Sequence, residues 1–117
     1  MLKAGTAARR RTLAWAEAQP PDVIRNQVED VLRAIDQGLL PIKADWVGHV
    51  KVLVASGSEI MYGSITTADD ALRWSGVLNT PVREAELTVY AAIYTLSDAQ
   101  AAQAVDGALQ AVLDTAL

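Results

Sequence analysis

The sequence predicts an α+β domain in which an antiparallel sheet of about three strands carries helices packed on one face. Three observations lead there. A hairpin pattern occupies residues 46–66, a long alternating run occupies 82–96, and helical stripes bracket them at 23–37 and after Ser97. The predicted order is α-α-β-β-(short α)-β-α, in a single domain over residues 1–117.

Residues 4–18 are rich in Ala, Arg, Leu and Glu, all good helix formers, so residues 1–19 read as a basic N-terminal helix with a thin apolar face. Its first residues are expected to fray, and Pro20-Pro21 end it. Asp22 then caps a helix from Val23 to Gln37. Ile24, Val28, Val31 and Ile35 recur at steps of four, three and four, and Leu32 widens the stripe. Arg25, Glu29, Asp30, Arg33 and Asp36 fall on the wet side, and Gly38 is placed to end the helix in a left-handed conformation.

From Trp46 to Thr66 the residues alternate in character along two arms joined at Gly57-Ser58, a dipeptide suited to a type II′ turn. With that turn, Ser56 opposes Glu59. One face then carries Val50/Ile65, Val52/Gly63 and Val54/Met61, and the other His49/Thr66, Lys51/Ser64 and Leu53/Tyr62. A slip of one residue would mix apolar with polar partners, so this register is preferred. Gly63 within the strand marks a bulge or a close approach by a helix.

Thr67 with Asp70 resembles a capping pair and predicts a short helix from Ala68 to Ser75. In the run 82–96, Ala85, Leu87, Val89, Ala91 and Ile93 share one face; Glu84, Glu86, Thr88, Tyr90 and Tyr94 share the other. Such length suits a strand paired on both sides, or one that extends beyond its own sheet. Ser97 to Gln100 forms a capping box for the last helix, whose stripe is Ala102, Val105, Leu109, Val112 and Ala116. Gly107 inside that helix is unfavourable by up to about 1 kcal/mol relative to Ala, which suggests a tight helix–sheet contact.

Composition narrows the function classes. No cysteine is present, so disulfides and thiolate chemistry are excluded, and one histidine builds no multi-histidine metal site. No cofactor is expected. Residues 1–19 carry four basic side chains against one acidic, net +3; the remainder carries six against thirteen, net −7. An acidic body repels phosphate backbones, so nucleic acid is disfavoured except through Arg9, Arg10 and Arg11. The body itself is the first partner to consider for those arginines. No apolar run approaches the roughly 20 residues of a membrane helix, and the apolar stretch near the N-terminus is short and flanked by Glu17, which reads as a cytoplasmic protein.

Helices on the apolar sheet face leave a polar face of His49, Lys51, Tyr62, Ser64, Thr66, Glu86 and Tyr90. A Lys–His pair at i, i+2 with hydroxyls across the ladder suits a small anionic ligand. The bland reading, a solvated sheet face, is the commoner one. His49 with Asp45 or Glu84 and Ser64 as a nucleophile can be written on paper, but no nucleophile elbow or phosphate loop is present, and no catalytic residue is assigned. Tyr90-Ala-Ala-Ile-Tyr94 is apolar or aromatic on both faces and calls for cover on both, which a second subunit would provide through sheet face or strand edge. The leading expectation is a small non-enzymatic binding or assembly protein, a homodimer or higher oligomer through its sheet. The rival is an anion-binding protein or enzyme using the face around His49 and Lys51.

Overall fold

Seven elements follow one another in the order β-α-β-β-β-β-α in a computed structural model that describes residues 3–116, with the side chains of 114–116 outside the description. They are β1 (Ala4–Gln19), α1 (Pro21–Leu39), β2 (Val47–Ser56), β3 (Glu59–Thr67), β4 (Arg73–Gly76), β5 (Val82–Tyr94) and α2 (Asp98–Ala116). The strands form one antiparallel sheet in the order β1-β5-β2-β3-β4. Both helices lie on the same face, α1 over β2 and β3, α2 over β1 and β5, and they pack on each other. The α+β class with an antiparallel sheet is therefore correct, while the strand count, the element order and the helical N-terminus are not.

The N-terminal stretch is the larger correction. Residues 4–19 form a strand that pairs with β5 from Ala4↔Tyr94 to Ala14↔Glu84. Helix propensity is a weak local preference, and a ladder of this length outweighs it. The period-2 signal was also present: Gly5, against the Leu96–Ser97 backbone, Ala7 and Leu13 are buried on the helical side, while Thr6, Ala8, Arg10, Thr12 and Ala14 are exposed. The strand also answers part of the argument for a second subunit, because β1 and β2 of the same chain cover both edges of β5. The short helix at 68–75 is likewise absent. A turn leads instead into β4, which pairs with β3 from Met61↔Gly76 to Ser64↔Arg73. Asp70 does not cap a helix there. Its carboxylate accepts from the Thr66 N–H and hydroxyl at 3.2 and 3.1 Å, closing the turn.

The hairpin forms in the expected register, Ser56↔Glu59 through Val50↔Ile65, and Gly57 has φ 59°, the positive value that a type II′ turn needs at its first central position. Beyond Val50 the register shifts, so Val47 meets Thr67 and the expected His49/Thr66 pair does not form. Gly63 is a close approach: a Cβ there would lie 2.8 Å from Leu32 Cδ1 of α1 and 3.2 Å from Trp74. The stripe of α1 is buried as expected. Its start is not: Pro21 opens the helix, Pro20 precedes it, and Asp22 sits in the first turn without capping. Gly38 lies inside the helix, where a Cβ would be 3.6 Å from Ala104 of α2, so its small size suits helix packing rather than termination.

Asp36 is the other reassignment on α1. It is 2% exposed, and its carboxylate accepts the Trp46 Nε1–H at 2.8 Å and the Asp69 N–H at 3.3 Å. One side chain thereby ties α1 to the entry of β2 and to the turn after β3. Trp46 is fully buried, whereas Trp15 and Trp74 are only partly so, with Arg25 stacked 4.4 Å from the Trp74 ring.

At α2 the capping box forms in full: the Ser97 N–H donates to Gln100 Oε1 at 2.9 Å, and the Gln100 N–H donates to Ser97 Oγ at 3.1 Å. The buried face of this helix is carried by Ala101, Ala104, Val105, Ala108, Leu109 and Leu113, rotated slightly from the predicted stripe. Gly107 lies off that face. A Cβ added to it would meet nothing within 4 Å, so no helix–sheet contact explains it. Gly107→Ala is therefore expected to raise unfolding stability by roughly 0.5–1 kcal/mol through helix propensity alone, read as a higher urea midpoint with unchanged slope. A lower midpoint would show that the helix needs the glycine.

Candidate functional site

With both helices on one side, the opposite face of the sheet is uncovered by any element of the chain. Alternation assigns its residues. Across the strands from β1 to β4, one row reads Ala8, Tyr90, Lys51, Ser64, Arg73; the next reads Arg10, Thr88, Leu53, Tyr62, Ser75; the third reads Thr12, Glu86, Ala55, Ile60. Tyr90 is 46% exposed and Ile60 52%, while Leu53, Ala55 and Tyr62 are partly covered by their neighbours.

Four of the seven predicted site residues come together here. Tyr90, Lys51 and Ser64 are successive cross-strand neighbours, and the Lys51 ammonium lies 4.5 Å from the Tyr62 ring centroid, a cation–π contact. Of the other three, His49 and Glu86 share the face in other rows, and Thr66 does not join it. His49 is exposed opposite Ala92, one row toward the end of the sheet. Thr66 is occupied in the Asp70 turn. Glu86 lies on the same face two rows along β5 from Tyr90 and pairs with Arg10 at 2.6 Å. Sequence reasoning missed Arg10, Arg73, Ser75 and Ile60 as members of this face. For Arg10 the alternation of residues 4–14 carried the signal; Arg73 and Ser75 became visible only with β4 paired in the sheet.

The paper constellation for nucleophilic catalysis does not assemble. Asp45 is engaged by Lys43 at 3.3 Å, and Glu84 lies eight residues from Ala92 along β5, about 26 Å from the level of His49 at strand rise. Ser64 has Lys51 and Arg73 as its cross-strand neighbours, not His49, Asp45 or Glu84. Two clefts lie on the helical side, one of about 380 Å³ between β1 and α2 and one of about 730 Å³ between α1 and α2, and smaller ones lie at the entry of β2 and at the β2–β3 turn, none containing a residue of the cluster. Among the described residues no group of three or more His, Asp or Glu is placed to hold a metal ion, and no helix is long and apolar enough to cross a membrane.

Two of the arginines at 9–11 are paired with carboxylates of the protein itself. Arg9 makes a two-pronged pair with Asp106 of α2, Nε to Oδ1 at 2.7 Å and Nη2 to Oδ2 at 3.1 Å, while Arg10 holds Glu86 on the open face. Three carboxyls are held below their usual range by their donors: Asp106 by Arg9, Glu59 by the Asn79 and Thr80 N–H groups, and Asp70 by Thr66. A lowered folded-state value means that the unfolded chain binds protons more readily. These groups therefore contribute stability above the ordinary carboxylate range of about 4, and that contribution is lost as pH falls through their lowered values. Asp106→Asn should make the acid-side loss of melting temperature shallower than in the wild type, with little difference between the slopes above pH 6; parallel profiles below pH 4 would remove Asp106 from this account.

No family model, no curated protein and no solved structure matches this chain.

Proposed function

We propose that this protein is a non-enzymatic assembly module that pairs with a second copy of itself through the uncovered sheet face. The observation that supports this most is the distribution of charge and apolar area on that face. Its middle is Leu53, Thr88, Tyr62 and Tyr90, with Arg10 beside Thr88 at the β1 edge and paired with Glu86. One end of the strands is basic, with His49, Lys51 and Arg73, and the other is acidic, with Glu84 and Glu86. A two-fold axis lying across the strands at the level of Leu53 and Thr88 would set each basic end over the partner's acidic end. An axis along the strands would set like over like. The pattern is thus self-complementary in one orientation only.

In the favoured orientation Tyr90 faces the level of the partner's Glu86. Wild-type protein should be dimeric by light scattering at micromolar concentration. Tyr90→Glu should be monomeric, because two carboxylates then meet, whereas Tyr90→Lys should keep more dimer than Tyr90→Glu despite losing the same ring. Equal dissociation of both variants would argue against the charge register, and a monomeric wild type would argue against the module itself.

A second reading is favoured by one specific arrangement: Ser64 has Lys51 and Arg73 as its two cross-strand neighbours, a hydroxyl between two cations. Titration with inorganic phosphate should then move the amide signals of Lys51, Ser64 and Arg73 together in a saturable way. Shifts that scale only with ionic strength would dismiss anion binding at this place.

A further inference from the structure

The sheet has two edges of very different character. β4 is four residues long and covers one edge briefly, whereas β1 leaves its outer side unpaired along the regular stretch from Ala4 to Ala14. Hydrogen bonds show which backbone groups point outward. The Thr6 N–H turns away from β5 and donates to Asp98 Oδ1 at 2.8 Å. Arg9 Nη1 donates to the Ala8 carbonyl and Arg11 Nη1 to the Arg10 carbonyl, both at 2.9 Å. On the neighbouring strand the Glu84 carbonyl, opposite Ala14, turns toward β2 and accepts from Ser56. All four agree with one phase of the antiparallel ladder, in which the even-numbered residues of β1 present their N–H and C=O to the free edge. Side chains thus take the Thr6 N–H and the Ala8 and Arg10 carbonyls on this edge, and none among the described residues takes the outward groups of Thr12 and Ala14.

Alongside that segment lies the cleft of about 380 Å³ between β1 and α2. Leu13, Leu109 and Leu113 supply its apolar lining, Asp106, already held by Arg9, and Gln110 line the α2 side, and Arg11 lines it from β1. Arg9 and Arg10 are neutralised by Asp106 and Glu86, but Arg11 is exposed and makes no ion pair among the described residues. Backbone edge, apolar lining and unpaired cation therefore coincide.

We propose that the edge of β1 over Arg10–Ala14 receives an extended segment of a partner protein, added as a sixth strand, with an acidic and an apolar residue two positions apart. The spacing follows from the pleat. Side chains two apart on the added strand fall on the same side of the sheet, so one meets Arg11 while the other enters the cleft beside Leu13. A second copy of β1 fits poorly. Regular pairing centred near Arg10 would bring the guanidinium groups of both copies into one ladder, and pairing centred farther on meets the register break between Ala14 and Gln19. This surface is separate from the open face, and the proposal does not depend on how that face is used.

The test uses a labelled, end-blocked ten-residue peptide of alternating threonines carrying glutamate and leucine two positions apart, with a control in which that leucine is replaced by glutamate. Binding by fluorescence anisotropy should be accompanied by new exchange protection at the amides of Thr12 and Ala14 and not of Leu13, whose amide already faces β5. Thr12→Pro removes an outward N–H and leaves the β5 ladder intact, so it should weaken binding at least about tenfold while the rest of the amide spectrum is unchanged. Arg11→Gln should weaken it about threefold to fivefold. Equal affinity of Thr12→Pro and wild type, or equal affinity for the control peptide, would overturn the proposal. Protection of the same amides that grows with protein concentration in the absence of peptide would overturn it in favour of self-pairing.

Discussion

Strand β5 is hydrogen-bonded along both edges, and the architecture follows from that. Its thirteen residues align β1 on one side and β2 on the other, so the first and last strands of the chain become neighbours. A strand paired on both sides must have both faces dealt with by something other than hydrogen bonding. One face, Ala85 to Ile93, disappears under the helices together with the Val50–Val54 face of β2. The other keeps Thr88 and Tyr90 at the centre of an exposed surface. The division of the molecule into a helical side and an open side is set along this strand.

The helices are held to that arrangement by packing and by one buried polar junction. Asp36 would be costly to bury alone, since a desolvated carboxylate without donors loses several kcal/mol. The Trp46 indole and the Asp69 backbone supply the donors, and the result links helix, strand entry and turn through a single residue. Asp69 takes φ 55°, a left-handed value that Asp tolerates better than most residues, and this orients its N–H toward Asp36. Polar satisfaction and turn geometry are thus coupled at one place.

Charge is organised at two scales. The basic N-terminal segment is partly absorbed by the acidic body when β1 docks, through Arg9 with Asp106 and Arg10 with Glu86, while Arg11 makes no ion pair among the described residues and acts on Asp106 only through its charge. On the open face the remaining charges sort toward opposite ends of the strands. Neither pattern is visible in the net charge of −4, and both depend on which strands are neighbours.

Periodicity and turn chemistry in the sequence by themselves determined the hairpin register, the buried stripe of α1, the inner face of β5 and the capping box of α2. Each rests on interactions within about ten residues, where spacing dictates which side chains share a face. They also grouped His49, Lys51, Tyr62, Ser64, Thr66, Glu86 and Tyr90, of which Lys51, Tyr62, Ser64 and Tyr90 are neighbours, because those four lie on strands that alternate clearly. What residues 4–19 become was decided only by the tertiary structure: an alanine- and arginine-rich segment that favours a helix locally becomes a strand once β5 offers it a ladder. The same holds for β4, for the burial of Asp36 and for the place of Arg10 and Arg73 on the open face. Those outcomes depend on partners dozens of residues away, and local propensity carries no information about them.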